Sequence, residues 1–373
     1  MRKAKLASAL LAPPGRAVFG RVRQCCRAAF IPMCCVLLLH GSVSLAQQAI
    51  RNAADQTMVA IAQEDEAGAL AQSKSDEPQS AQTDELQIQN ATSLAKAGDY
   101  QSAERSIRAY LLTHADSAEG HYLLGYLLYK QNKPTDSLAE YTQGARFRKP
   151  SAADLAAVAM DYLLLQADTD ADKWLTQATS MEPTNGLYWY YLGRTKYNEN
   201  RFQESVDAFH KSLEVLPRNV RAEYNLGLAY AGKGLDDKAR EAYETAIAWQ
   251  KGSAHEDAQP YLDLGMLLAT QGHLKEAVPN LERAVGLDAQ NPKIHEEMGH
   301  VYEQLQEFGK AQSEFESAIA LAPKVSSLHF QLGRIYQKEG MAERAKDEFA
   351  RCAVLNGTHS TDSLETPNSD LHP

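Results

Sequence analysis

The residues most suited to chemistry in this chain lie in one short stretch, His295-Glu296-Glu297-Met298-Gly299-His300. Imidazoles and carboxylates at this density are the raw material of a hydrolytic zinc site. Such a site needs its two histidines four residues apart, so that both ring nitrogens share one helix face. Here the spacing is five, which sets the two side chains about 140° apart around a helix. The stretch therefore reads as solvated or groove-facing histidines rather than metal ligands. Other reaction types find less still: there is no glycine-rich phosphate loop, no Gly-x-Ser-x-Gly elbow and no Cys-x-x-Cys pair. Of the cysteines, Cys25, Cys26, Cys34 and Cys35 lie near the N-terminus and Cys352 near the other end. Cys352 reads as a buried packing thiol. No catalytic residue, metal or cofactor is expected.

What remains is aromatic. Tyr188-Trp189-Tyr190-Tyr191-Leu192-Gly193, continued to Leu216-Pro217, has the apolar spacing of two short amphipathic helices, with the polar turn Asn198-Glu199-Asn200 between them. Gly193 belongs to a series: Ala91, Gly125, Ala159, Gly193, Gly227, Gly265, Gly299 and Gly333, spaced by 34 residues except for one step of 38. Twelve residues after each stands a small side chain, among them Ser137, Ser205, Ala239 and Ala311. Sixteen after stands a large one, among them Tyr141, Phe209, Tyr243 and Phe349. Small residues let two helices approach closely, and a large one fills the space between them and the next pair. A single hairpin of this kind cannot bury its apolar face, so the units must stack.

On Trp189, Leu192, Gly193, Phe209 and Pro217 in one unit, and Tyr230 and Ala239 in the next, the sequence resembles the tetratricopeptide repeat family. The resemblance covers about three-quarters of the chain. It implies an all-α fold: an α-solenoid of eight tandem helix-turn-helix repeats over residues 84–357, forming a right-handed superhelix. The units start near 84, 118, 152, 186, 220, 258, 292 and 326. The first and third, with Asn90-Ala91 and Val158-Ala159 in place of Leu-Gly, should be the least sharply defined. The four extra residues near Trp249–Pro260 should lengthen the loop between the fifth and sixth units.

The flanks read differently. Arg2, Lys3, Lys5, Arg16, Arg21, Arg23 and Arg27, an apolar run from Ala28 to Leu39, and the small residues up to Ala46 follow the order of a secretory signal. Residues 1–46 are expected to be a signal peptide cleaved before Gln47, or else an N-terminal anchor, although the run is shorter than a membrane span needs. With this leader removed only Cys352 is left, which fits an exported protein of bacterial type. The sequons Asn90-Ala91-Thr92 and Asn356-Gly357-Thr358 argue the other way, but Asn90 falls where a buried residue is expected. Residues 47–83, rich in Gln, Ala and Ser, read as a disordered linker, and residues 358–373, after Asn356-Gly357, as a disordered tail.

Seven of the 38 basic residues, and none of the 48 acidic ones, lie in the leader, so the body is more acidic than the formal charge of −10. Such a body repels phosphate, and no nucleic-acid partner is expected. The resemblance places positions 5, 9 and 12 of each first helix on a concave groove. The candidates there are Tyr122, Tyr126, Tyr129, Tyr190, Arg194, Tyr197 and Tyr224, then an acidic patch with Glu296 and His300, and finally Arg334. Tyrosine offers apolar area with a hydrogen-bonding tip, a good surface for a peptide. The Lys and Asn pair with which related co-chaperone domains clamp a terminal carboxylate is absent from these positions. The expected function is a non-enzymatic scaffold, periplasmic or secreted, that binds a protein or peptide partner. The alternative is an accessory subunit of an envelope or secretion complex, membrane-bound only through its N-terminal segment.

Overall fold

The computed structural model describes residues 79–362, with side chains from 85 to 357. The leader, and the linker up to residue 78, lie outside the described residues. Among those described there are sixteen helices and no strand. They form eight hairpins: α1 (Gln79–Lys96) with α2 (Tyr100–Leu111), α3 (Ala118–Lys130) with α4 (Pro134–Phe147), α5 (Ala152–Leu164) with α6 (Asp168–Met181), and α7 (Gly186–Asn198) with α8 (Phe202–Val215). Then come α9 (Val220–Gly232) with α10 (Asp236–Gln250), α11 (Gln259–Thr270) with α12 (Leu274–Leu287), α13 (Pro292–Gln304) with α14 (Phe308–Leu321), and α15 (Ser326–Lys338) with α16 (Ala342–Asp362). The expected α-solenoid of eight repeats is what the chain forms.

Each hairpin is closed by the same turn. The residue at position 15 is left-handed in all eight units: Gly98, Asn132, Gln166, Asn200, Gly234, Gly272, Gln306 and Gly340. The next residue's N–H reaches back to the carbonyl of position 11, as in Asp99 N to Leu94 O at 3.0 Å and Met341 N to Tyr336 O at 2.8 Å. This is the Schellman closure of a helix C-terminus, and it satisfies carbonyls the helix would leave orphaned. Glycine adopts that conformation freely and asparagine tolerably, whereas Gln166 and Gln306 bear strain. Several first helices start instead on a side-chain cap: Asn185, Asn219 and Asn291 accept backbone N–H bonds, and Ser151 forms a capping box with Asp154. That box helps to make the third hairpin as complete as the rest, contrary to the expectation of a poorly defined unit.

In the six units with glycine at position 8 the contact there is very close. A methyl group added at Gly193 would lie 2.7 Å from the Phe209 ring, and one at Gly299 would lie 2.9 Å from that of Phe315. Phe209 and Phe315 are fully buried. Where position 20 is serine, its hydroxyl also ties the two helices, from Ser205 Oγ to Gly193 O at 2.7 Å. Between units, each second helix packs on the next first helix, and first helices also touch one another, as α3 does α5, α7 does α9 and α11 does α13. First helices therefore line the inner side of the stack.

The extra residues do lengthen the connection between α10 and α11. Gln250 clamps it, donating to Asp257 O at 2.9 Å and accepting from Asp257 N at 3.0 Å. The ends of the array differ from expectation. Helix α1 begins at Gln79, and α16 runs past Asn356-Gly357 to Asp362, because Thr358-His359-Ser360 supplies no apolar residue to close a left-handed cap there. Cys352 is half-buried rather than buried, and Asn90 is exposed. In both cases no further unit, among the described residues, stacks on the terminal helix. The reason for discounting the Asn90 sequon falls away.

Two substitutions test this account by thermal or urea unfolding. Gly193→Ala should lower stability by about 1–3 kcal/mol, since Phe209 has nowhere to move. Gln306→Gly should raise it by about 1 kcal/mol by relieving left-handed strain.

Candidate functional site

The inner face is built from successive first helices, and the ten sequence candidates fall into three groups on it. Tyr122, Tyr129 and Tyr190 are buried. Tyr122 is a packing residue: its hydroxyl donates to Arg148 O at 2.6 Å and its ring lies against Gly144 and Tyr141. Tyr129 and Tyr190 sit in one apolar cluster with Met160 and Leu163, and Tyr126, Leu164, Leu187 and Tyr197 line its half-buried margin. Tyr190 meets Tyr191 edge-on with ring centroids 5.3 Å apart, and Tyr197 meets Phe202 in the same way at 5.5 Å. Arg194 lies with its guanidinium 5.9 Å from the centre of the Tyr190 ring. The structure thus brings Tyr126, Tyr129, Tyr190, Arg194 and Tyr197 together and leaves Tyr122 in a separate cluster.

Tyr224 opens the second group. It is half-buried, and its hydroxyl donates to Asp263 Oδ2 at 2.5 Å, while Gln259 Nε2 donates to both oxygens of the same carboxylate. Desolvation raises the Asp263 pKa in spite of these bonds, and the nearby carboxylates of Asp257 and Glu297 add to the rise. Asp263 stands at position 6, one residue past the groove position 5. Its signal was there: it is a lone acid in the apolar run Tyr261-Leu262-Asp263-Leu264.

The third group departs from the expected acidic patch. Lys293 lies 3.0 Å from Glu296 and 2.8 Å from Glu297. Glu303 receives Arg334 at 2.9 Å and Lys338 at 2.7 Å, with His300 at 3.8 Å. His300, Lys338 and Arg334 together hold the Glu303 carboxyl at about 2. The seventh and eighth units therefore carry a neutralised network where free negative charge was expected. His300 itself sits edge-on to Phe315.

His295 is neither solvated nor on the groove. It is buried between Glu314, 2.7 Å from Nδ1, and Ala289 O, 3.3 Å from Nε2. The same arrangement recurs at position 4 in His121 with Glu140 and Ala115 O, and in His329 with Glu348 and Pro323 O. Trp189 makes the equivalent bond from Nε1 to Pro183 O at 2.8 Å. Position 4 thus fastens each of these first helices to the loop before it. A comparison of repeat units in the sequence could have shown this, since His121, His295 and His329 share one register position. Among the described residues no group of three or more His, Cys, Asp or Glu side chains could hold a metal ion.

Tetratricopeptide repeat models match residues 88–153, 218–290, 292–325 and 326–359, together more than half of the chain. The chain belongs to the tetratricopeptide repeat family. Residues 154–217, between the matched stretches, carry the same hairpins, so the array is continuous. It has the architecture of a protein-interaction scaffold. Among curated proteins, the peroxisomal targeting signal receptor of Candida albicans is 37% identical over 82 residues, covering 21% of this chain and 14% of that protein. The CTR9 homolog of Arabidopsis thaliana is 31% identical over 165 residues, covering 42% of this chain and 15% of that one. The chain thus spans only a small part of the curated relatives it matches. Among solved structures, the C-terminal part of a TPR repeat-containing protein from Cytophaga hutchinsonii superposes with a TM-score of 0.53 at 17% identity, covering 66% of this chain and 99% of that one. A tetratricopeptide repeat protein from Parabacteroides merdae gives 0.52 at 18%, covering 68% and 99%. These structures support the fold alone.

One buried acid in the tetratricopeptide array makes its stability depend on pH. Asp161 is fully buried on α5, and Ser137 Oγ lies 2.6 Å from its Oδ2 and 2.7 Å from Gly125 O. Desolvation raises the Asp161 pKa to about 8, only partly opposed by the Ser137 hydroxyl, which donates to its carboxyl. A carboxyl with a raised folded-state pKa stabilises fully below its unfolded value of about 4 and loses that contribution as pH climbs to about 8. Urea midpoints measured between those limits should therefore fall with rising pH. Asp161→Asn should flatten that slope and be the more stable form at pH 8.

Proposed function

We propose that the chain is a non-enzymatic scaffold that holds an extended segment of a partner protein along the inner face of its first helices. The observation that carries this reading is the run of half-buried apolar and aromatic side chains that continues from unit to unit on that face: Tyr126, Leu164, Leu187, Tyr197, Leu228 and Met266. Rings and aliphatic chains left partly open along one groove suit an extended peptide, which fills alternate pockets with its side chains. The likeness to receptors for a peroxisomal targeting signal supports recognition of a short segment in another protein. Site-specific photo-crosslinking tests the reading. With a benzoylphenylalanine replacing Tyr126, Tyr197 or Leu228, the chain should crosslink to a partner in native extract. With the same group at Leu112, 86% exposed at the end of α2, it should not. Equal yields from the two sets would remove the inner face as the binding surface.

The proposed setting is the cell envelope, reached through the leader of residues 1–46. Support comes from its basic-then-apolar order. No helix among the described residues is long and apolar enough to cross a membrane. N-terminal sequencing of the natural protein should find Gln47 as its first residue. A membrane-bound chain that retains Arg2 to Leu39 would instead favour an accessory subunit tethered to an envelope complex.

A further inference from the structure

The half-buried cations of the array are paired almost as a rule. Arg201 has Asp172, Glu199 and Glu204, Arg240 has Glu244 and Glu276, Lys293 has Glu296 and Glu297, and Arg334 has Glu303. Arg194 breaks the rule. It is half-buried at position 9 of the fourth unit, and among the described residues no carboxylate lies within 4 Å of it; its contact is the Tyr190 ring. A guanidinium whose contact is an aromatic ring does not spend the N–H donors of its planar fork on that contact. Those donors match the two oxygens of a carboxylate, and partial burial strengthens such a pair relative to one in bulk water. The neighbouring acid on this face does not answer it, since Asp263 is already bonded by Tyr224 and Gln259.

The surroundings say what kind of carboxylate fits. Apolar side chains line the face on both sides of Arg194: Tyr126 and Leu164 in the second and third units, Leu228 and Met266 in the fifth and sixth. A segment filling this surface runs past Arg194 in both directions, so the group it presents there is a side chain rather than a chain end. We propose that Arg194 reads an aspartate or glutamate within an extended, otherwise apolar partner segment. The chain as a whole is acidic, with a formal charge of −10, and all seven basic residues of the leader lie outside the array, so the array repels acidic chains at long range. An isolated guanidinium in the groove would then select a single acid in an apolar context over a polyacidic stretch.

The proposal rests on the groove reading above, and one experiment separates their failures. The full chain is used to select from a random twelve-residue peptide library displayed with both peptide ends blocked by carrier sequence. In parallel, a library is displayed with free C-termini. The wild-type chain should enrich Asp or Glu at one position flanked by apolar residues, from the blocked library. Arg194→Gln should lose that enrichment and bind the selected peptides roughly 10- to 100-fold more weakly. Arg194→Lys should retain part of the preference, and Arg194→Glu should invert it toward Lys or Arg, which a merely misfolded variant could not do. Selected peptides without an acidic preference, or with one that Arg194→Gln leaves intact, would overturn the role of Arg194 and leave the groove standing. Selection only from the free-C-terminus library would overturn the side-chain assignment. No selection from either library would overturn the groove reading, and this proposal with it.

Discussion

The structure depends on one contact repeated along the chain: the large side chain of a second helix laid on the backbone of its partner at position 8. Because Gly193 has no Cβ, the Phe209 ring reaches within van der Waals range of the main chain, and the same holds for Gly125 with Tyr141, Gly227 with Tyr243 and Gly333 with Phe349. This sets the separation of the two helices in a unit. With that separation fixed, the turn is left to a single left-handed residue, and the apolar sides of each hairpin are free to bury against neighbouring units. Stability is then shared between neighbours, as in any quasi-one-dimensional array. The inner face follows as a consequence, because it is the side on which first helices come together.

Most of this architecture is legible in the order of the amino acids. The 34-residue spacing of small and large residues specifies the number of units and a lengthened connection near Trp249–Pro260, because the physical demand for a close approach recurs at each repeat. What the spacing does not specify is orientation within an aromatic cluster. Tyr122, Tyr190 and Tyr197 all stand at expected groove positions, yet Tyr122 spends its hydroxyl on Arg148 O and its ring on Gly144, while Tyr197 stays half-open beside Phe202. Tyrosine serves both purposes, and the choice depends on whether a small residue faces it from the next helix. Charge is misread for a related reason. Glu303 alone looks like part of an acidic patch, but its partners Arg334 and Lys338 come from the following unit, 31 and 35 residues on.

The polar residues inside the array divide by what they can satisfy. His121, His295 and His329 spend both ring nitrogens between a carboxylate and a loop carbonyl, so they hold units together and are not available for chemistry. Asp161 is tied to Ser137 through one oxygen, and its other oxygen is buried without a partner, an arrangement that suits the neutral acid. Arg194 is of another kind, since nothing among the described residues pairs its charge. Buried and half-buried groups that the fold itself satisfies explain stability, and a group it leaves open on a lined surface points outward to a partner.

The central claim is that the first-helix face is a binding groove with Arg194 at its centre. A crystal structure of the full chain with a selected acid-containing peptide tests it most directly. The account predicts an extended peptide along α3, α5, α7, α9 and α11, with a side-chain carboxylate about 3 Å from the Arg194 guanidinium. A peptide lying across the second helices or the turns, with Arg194 still facing only Tyr190, would contradict it.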